Sequence, residues 1–225
     1  MNPRRRVALV LLALTVPAIA LAWSFGTKGD GKMTTEARRV EGFKRVVLHD
    51  VIDAQIHEGP YAVSLTIDQN LQSLVTTEVQ GDTLHVSTRS SINPSHGTKV
   101  EISLPEFHGA SALGAGDLDI RGVSQAREIK LNTQASGDIH YEGAAQSIEV
   151  TTLGSGDVTL RLSGAVQKVD VATRGSGDIK VEGGQVDALR ASTAGSGDID
   201  TRGTPAQAAD LSTHGSGDIK ATLLA

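Results

Sequence analysis

The sequence contains no cysteine and few aromatic residues, and these absences exclude several kinds of protein. Without cysteine there is no disulfide framework, iron–sulfur cluster, thiolate zinc site, cysteine nucleophile or lipid-modified N-terminal cysteine. Aromatic residues make up only 3% of the 225 residues. A hydrophobic core must therefore be built from Val, Ile, Leu and Ala.

The chain also lacks an excess of basic residues, since 21 Lys and Arg stand against 26 Asp and Glu. A nucleic-acid-binding surface needs a concentration of positive charge, so we expect no nucleic acid among the partners. Hydrophobic residues at 39% and charged residues at 21% are nonetheless typical of a folded chain rather than a disordered one.

The N-terminal segment has the composition of an export signal. Three arginines at 4–6 precede an apolar run at 7–22 that ends in Ala-Leu-Ala, which predicts a secretory signal peptide at 1–22. The alternative is an uncleaved membrane anchor, but a spanning helix needs about 20 residues and this run is shorter. We expect an exported protein of the bacterial periplasm or cell surface. Residues 23–39 have no hydrophobic periodicity and are expected to form a flexible lead.

A short motif, Gly-Ser-Gly-Asp followed by an aliphatic residue, recurs with small variations through the C-terminal half of the chain. Its copies are about 20 residues apart, a period typical of a solenoid. A glycine-rich turn at every repeat, with short alternating segments between the turns, favours strands over helices. The aspartates of the motif are Asp117, Asp138, Asp157, Asp178, Asp198 and Asp218.

When the copies are aligned on the aspartate, apolar residues fall into columns. The residues one and three positions after it are mostly aliphatic and the residue between them is polar, as in a strand with one buried face. A second strand precedes each turn and ends in a threonine. Stacked copies predict an all-β solenoid with aliphatic ladders inside and a ladder of matching threonine hydroxyls. The two columns are Leu118, Ile139, Val158, Ile179, Ile199, Ile219 and Thr133, Thr152, Thr173, Thr193, Thr213.

Three further expectations follow from the alignment. Charges four residues after the aspartate alternate in sign, so ion pairs between neighbouring coils are expected at Arg121, Glu142, Arg161, Glu182 and Arg202. The turn glycines are expected to supply a positive φ, and the aspartates to bind nearby backbone groups. Residues 40–105 are expected to be a degenerate version of the same coils, with Gly81-Asp82 as a copy of the repeat turn.

Several stretches together suggest a family. They are Phe43-Lys44-Arg45-Val46, the segment from Leu74 to Val86, Leu104-Pro105 and the repeated Gly-Ser-Gly-Asp-Ile motif. Over roughly residues 40–225, the chain resembles the putative auto-transporter adhesin, head GIN domain family. The resemblance implies a right-handed parallel β-helix-like fold in an exported envelope protein, and it brings no catalytic residues with it.

The sequence leaves three functions open. The first is a non-enzymatic envelope protein, an adhesin-like, structural or binding module with a protein or glycan ligand. The second is a carbohydrate-active enzyme, because carboxylates about 4.8 Å apart in neighbouring coils are near the separation used by retaining glycosidases. The third is a calcium-binding β-roll, in which the six aspartates supply oxygen ligands. Six equivalent copies favour a structural role, so we predict no catalytic residue, cofactor or metal.

Two further predictions concern histidine and the C-terminus. The seven histidines are scattered along the chain, so we expect solvated side chains and not a metal site. The last strand carries Leu223 and Leu224 without a polar cover, and an uncovered strand edge is a template for another chain. We expect a homodimer through this C-terminal edge, unless the N-terminal segment folds back over it.

Overall fold

The computed structural model describes residues 26–225, so the predicted signal peptide at 1–22 lies outside the described residues. Within this part of the chain there is one 3-10 helix, Gln69–Leu74, and no helix long and apolar enough to span a membrane. The first nine strands are β1 (Thr27–Lys28), β2 (Met33–Arg38), β3 (Arg45–Leu48), β4 (Asp53–Glu58), β5 (Ala62–Asp68), β6 (Val75–Gln80), β7 (Thr83–Thr88), β8 (Ile92–Asn93) and β9 (Lys99–Leu104). The later strands are β10 (Gly109–Ala112), β11 (Leu118–Thr133), β12 (Ile139–Thr152), β13 (Val158–Leu162), β14 (Ala165–Thr173), β15 (Ile179–Glu182), β16 (Gln185–Thr193), β17 (Ile199–Thr213) and β18 (Ile219–Leu223).

The strands form two parallel stacks that enclose the core between them. In the first stack the order is β9, β4, the starts of β11 and β12, β13, β15, the start of β17 and β18. In the second stack it is β7, β3, β10, the ends of β11 and β12, β14, β16 and the end of β17. The result is a β-solenoid of about five turns of stacked parallel coils, which confirms the predicted fold class.

The predicted aliphatic columns lie in register inside the coils. Ile139 is opposite Val158, Val158 is opposite Ile179, and Ile179 is opposite Ile199. All four side chains are buried. Ile219 in the last coil is only partly buried, since no described strand lies beyond it. Burying one such side chain contributes about 1.5–3 kcal/mol, so the column is a main source of stability.

At the N-terminal end, antiparallel strands cover both stacks. β5 pairs with β9 in the antiparallel direction, and β2 pairs with β5 in turn. In the second stack, β6 pairs in the antiparallel direction with β7. The 3-10 helix connects β5 to β6 and therefore crosses from one stack to the other, with Leu71 fully buried. The core is closed at this end.

Part of the predicted flexible lead at 23–39 is ordered, which corrects that expectation. Thr27–Lys28 pairs with β8, and Met33–Arg38 pairs along its whole length with β5. Most side chains of β2 are exposed, so no hydrophobic alternation marks this strand in the sequence. Its order comes from backbone hydrogen bonding to a strand edge that exists only in the folded protein.

Residues 40–105 contain coil strands, as expected, and also elements that the repeat lacks. β3, β4, β7 and β9 are in parallel register with the later coils. The expected repeat turn at Gly81-Asp82 is instead the two-residue loop of the antiparallel β6–β7 hairpin. Such loops need left-handed backbone, and Gly81 has a φ of 64°.

Candidate functional site

The six aspartates of the repeat lie in one row along the outside of the turns, here called the aspartate ladder. From Asp138 onward, the backbone N–H of each one donates to Oδ1 of the aspartate in the preceding coil, at 2.7–2.9 Å. Hydrogen bonds to a carboxylate are stronger than those between neutral groups. The ladder therefore fastens each turn to the next one.

One further aspartate belongs to the ladder and was missed by the repeat alignment. The N–H of Asp117 donates to Oδ1 of Asp53 at 3.0 Å, and Ala54 lies opposite Leu118 in register. The signal was present in the sequence, because Ala54 and Ile56 follow Asp53 at the one and three positions of the repeat. Only the Gly-Ser-Gly turn is missing before it.

These hydrogen bonds favour a structural role for the aspartate ladder. Every carboxylate of the ladder except that of the last aspartate already accepts a hydrogen bond from the backbone N–H of the next coil. Side chains in turns commonly bind backbone groups in this way. Among residues 26–225, no group of three or more His, Asp or Glu side chains is arranged to hold a metal ion. Calcium binding stays the alternative to this prediction, and a binding measurement tests it at Asp117, Asp138, Asp157, Asp178, Asp198 and Asp218.

The glycines of the repeat turns are required by close contact between coils. An added Cβ atom on Gly175 would lie 1.9 Å from the carbonyl oxygen of Gly154, and one on Gly177 would lie 2.1 Å from that of Gly156. None of these four glycines has a left-handed φ, so the expected positive-φ turn is wrong at these positions. The turns stack backbone on backbone, and the Ser176 N–H donates to the Gly154 carbonyl at 3.0 Å.

Four of the five threonines of the column are buried, and their hydroxyls do not bind one another as the expected ladder would require. Thr133, Thr173 and Thr193 each donate to the carbonyl of the glycine four residues further on, at 2.9 Å. The buried hydroxyl of Thr152 has no partner among the described residues. Thr213 in the last coil is exposed. Three of the five threonines thus tie a strand to the turn that follows it.

The alternating charges form fewer ion pairs between coils than predicted. Arg161 Nε lies 3.7 Å from Glu182 Oε2 in the next coil. Arg121 and Arg202 instead bind the aspartate two residues earlier in their own strands, at 2.8 and 2.6 Å. A register shift places Gly203, and not Arg202, opposite Glu182. In this column, ion pairs therefore form mostly within strands.

An open concave surface lies at the N-terminal end, where the repeat is least regular. It is a groove of about 700 Å³, here called the N-terminal groove. Its floor lies on the outward positions of β5 and β9, where the small side chains of Ala62, Ser64 and Ser103 leave space. The segment 39–41 and Tyr61 stand beside this floor.

The walls of the N-terminal groove carry one aromatic ring and several charged groups. Tyr61 is 36% exposed, and its hydroxyl donates to the carbonyl of Phe43 at 3.1 Å. The two rings lie 5.2 Å apart, so the Tyr61 ring is held in one orientation. The charged and polar groups of the walls are exposed to solvent, and they are Arg39, Glu41, His57 and Glu101.

One cluster has the three residue types of a hydrolytic triad, but its side chains are hydrogen-bonded in a different order. It consists of Asp68, Ser95 and His96. Both the hydroxyl and the N–H of Ser95 donate to the Asp68 carboxylate, and Ser95 Oγ lies 2.9 Å from His96 Nδ1. In a triad the histidine stands between the other two and takes the serine proton, whereas here the serine stands between them. The hydrogen bonds from Ser95 lower the pKa of the buried Asp68, and one from the Gly31 N–H adds to this. The cluster anchors the lead to the domain.

Comparison with known proteins agrees with this architecture. The model of the family described as "Putative auto-transporter adhesin, head GIN domain" matches residues 42–222. No curated protein matches the chain.

Solved structures share the fold at low sequence identity. A putative adhesin from Parabacteroides distasonis ATCC 8503 has a TM-score of 0.77 and 21% identity, covering 86% of this chain and 83% of that chain. A putative adhesin from Bacteroides fragilis NCTC 9343 has a TM-score of 0.66 and 23% identity, covering 88% and 100%. A putative lipid binding protein from Parabacteroides distasonis ATCC 8503 has a TM-score of 0.58 and 20% identity, covering 88% and 99%. These identities support a common fold and carry no ligand assignment.

Proposed function

The chain belongs to the putative auto-transporter adhesin, head GIN domain family, and we propose that it is an exported, non-enzymatic binding protein of the bacterial envelope. Export is supported by the basic start, apolar run and Ala-Leu-Ala end of residues 1–22. The proposed location is the periplasm or the cell surface. The proposed ligand is a short surface glycan, bound in the N-terminal groove.

The observation that carries this proposal is the composition of the N-terminal groove. Small-molecule sites occupy about 300–1,000 Å³, and this groove has about 700 Å³. A sugar ring presents a face of C–H groups and an edge of hydroxyls. The half-exposed Tyr61 ring suits the first, since it is rigid and apolar, while Arg39, His57 and Glu101 suit the second. The charged walls do not favour a lipid, the ligand named for one of the structural neighbours.

A non-enzymatic function is supported by how the carboxylates are used. A glycosidase needs two carboxyl groups that face each other across the scissile bond. The carboxylates of the aspartate ladder face the backbone of the neighbouring turn. The walls of the N-terminal groove carry two carboxylates, Glu41 and Glu101, and Glu101 forms an ion pair with Lys99 at 3.4 Å. The Asp68 carboxylate is buried and accepts hydrogen bonds from the N–H groups of Gly31 and Ser95.

The proposal is tested by measuring the affinity of the purified protein for a panel of bacterial and host glycans. We expect Tyr61→Ala to weaken binding at least tenfold and Arg39→Ala to weaken it less. Lys180→Ala is a matched control, because Lys180 is an exposed residue of β15 in a later coil. We expect it to leave the affinity unchanged.

Several outcomes would contradict the proposal. Unchanged affinity in both groove variants would remove the N-terminal groove as the site, and no binding to any glycan would remove the ligand class. Turnover of a glycan would support the carbohydrate-active alternative. Export is tested separately by cell fractionation, where a cytoplasmic protein that keeps residues 1–22 would contradict it.

A further inference from the structure

A pair of histidines lies on the outside of the second stack, away from the N-terminal groove. Val47 of β3 is opposite His85 of β7, and the N–H of His49 donates to the carbonyl of Val86 at 2.9 Å. Because Leu48 and Val86 point inward, both histidine side chains point outward and are half-buried. The sequence separation of 36 residues gives no sign of this contact.

The two rings meet through nitrogen atoms. Nε2 of His49 lies 3.3 Å from Nδ1 of His85, and the ring centroids are 5.6 Å apart with planes inclined by 29°. A neutral imidazole has one N–H and one lone pair, so one of the two facing nitrogens carries a proton in this arrangement. If both rings carry their proton on the outer nitrogen instead, both facing nitrogens present lone pairs and no proton is lost.

The separation of the nitrogens matches that of two ligands on one metal ion. Metal–imidazole bonds of about 2.0–2.1 Å at a tetrahedral angle place the two nitrogens about 3.3–3.4 Å apart. The observed 3.3 Å between His49 Nε2 and His85 Nδ1 has this tetrahedral value, and a right angle at a square-planar Cu²⁺ ion needs a separation of about 2.8–3.0 Å. We propose that His49 and His85 bind a divalent transition-metal ion through these two nitrogens.

Neighbouring acidic residues add favourable charge and hold the geometry. The rings border an open depression that also includes Asp50 and Glu78. Glu78 lies directly opposite His85 in the antiparallel β6–β7 pair, so the two side chains are neighbours. Asp50 Oδ2 accepts hydrogen bonds from the N–H and the hydroxyl of Thr88, at 2.8 and 2.9 Å. Asp50 therefore fixes the chain directly after His49 and acts as a positioning residue.

The chemistry of the pair selects the class of metal. Imidazole nitrogen suits Cu²⁺, Zn²⁺ and Ni²⁺, and the affinity of such ligands is highest for Cu²⁺. Hard ions such as Ca²⁺ and Mg²⁺ prefer oxygen ligands and are not expected to bind here. Since no group of three ligands is assembled among residues 26–225, the pair supplies two ligands and solvent supplies the others. This site does not depend on the proposed glycan ligand.

The test is a calorimetric titration of the full chain, without an affinity tag, with CuSO₄ or ZnSO₄ alone. We expect one equivalent to bind, more tightly for Cu²⁺. His49→Gln and His85→Gln should each weaken binding at least tenfold. His214→Gln removes an exposed histidine near the C-terminus and should leave the affinity for the metal unchanged. Wild-type affinity in both His49→Gln and His85→Gln would overturn the proposal.

Electron paramagnetic resonance of the Cu²⁺-loaded wild-type protein gives a second measurement that needs no variant. We expect coupling to two imidazole nitrogens, and coupling to one nitrogen or none would overturn the proposal. Glycan binding should be the same in His85→Gln and wild type. A His85→Gln protein that loses metal binding but keeps glycan binding shows that the two sites are independent. A negative result at one site therefore does not count against the other.

Discussion

The two ends of the solenoid are built differently. At the N-terminal end, β5 and β6 run antiparallel to the coils and cover one stack each, and the 3-10 helix closes the core between them. At the C-terminal end, β18 and residues 208–213 of β17 are the last strands described, and no described strand pairs with their outer edges. Leu211 and Leu223 are 45% and 58% exposed there.

The difference shows that the repeat builds the body of the solenoid but does not close it. A parallel coil presents the same uncovered edge however many copies are added. Closing an end requires a segment with another pattern, and the N-terminal segment supplies one in β2, β5, β6 and the 3-10 helix. The same irregular segment forms the N-terminal groove, so the closed end is also the end with the candidate binding site.

The largest effect is expected from a methyl group between two coils. Gly177→Ala places a Cβ atom about 2.1 Å from the Gly156 carbonyl oxygen, a backbone atom that cannot turn away as the end of a side chain can. We expect failure to fold, or a loss of several kcal/mol as for other severe overpacking. Gly31→Ala is the control near the closed end. It has open space and a φ of 78°, so it should cost about 1 kcal/mol. Similar melting temperatures for the two variants would contradict direct backbone contact between the glycine-rich turns of neighbouring coils.

A large but smaller effect is expected from the buried aliphatic column. Ile179→Ala should lower the free energy of unfolding by about 2–5 kcal/mol, because Ile179 is fully buried between two coils. Ile219→Ala should cost less, since Ile219 in the open last coil is only partly buried. Chemical denaturation of both variants measures the difference. Equal losses would mean that the C-terminal end is covered in solution.

A modest effect is expected in the aspartate ladder. In Asp178→Asn the amide oxygen can still accept the hydrogen bond from the Asp198 N–H, which measures 2.7 Å. The charge is lost, so we expect a stability loss of about 1 kcal/mol or less. Calorimetry with and without millimolar Ca²⁺ gives the decisive comparison. A calcium-dependent rise in melting temperature that disappears in Asp178→Asn would establish the calcium alternative.

The smallest effect on unfolding is expected at the open edge itself, where we propose that a second copy of the chain binds. The described part of the lead, from residue 26, pairs with β5 and β8 and so does not cover this edge. Two β18 strands can pair in the antiparallel direction with Ala221 opposite the partner's Ala221. Ile219 then lies opposite the partner's Leu223, and no like charges face each other. Pairing about Lys220 would oppose two lysines, which destabilises a strand pair.

Light scattering of the wild type and of the double variant Leu223→Lys, Leu224→Lys tests this proposal. We expect a concentration-dependent dimer in the wild type and a monomer in the variant, with little change in monomer stability because both leucines are exposed. A wild type that remains monomeric at high concentration would remove the dimer. A dimer that persists in the variant would place the interface elsewhere.

The regular coils could be predicted from the sequence because their information is local and repeated. Alternation of apolar and polar residues determines which side of a strand is buried, and identical spacing determines that Ile139, Val158, Ile179 and Ile199 share a column. The buried threonines and the role of the aspartates as backbone acceptors follow from the same alignment. Asp53 could have been included by its position before Ala54 and Ile56.

Other features depended on contacts between distant segments, which no local pattern records. β2 is exposed on most of its length and is ordered only because β5 offers it an edge. The N-terminal groove exists because small side chains of two antiparallel strands lie side by side, and His49 meets His85 only because β3 stacks on β7. The repeat, the buried face and the coil register follow from the amino-acid sequence alone, since side-chain hydrophobicity recurs there at a fixed period. The closed end, the groove and the histidine pair arise only in the folded protein, because each depends on which strand edges the folded coils leave free.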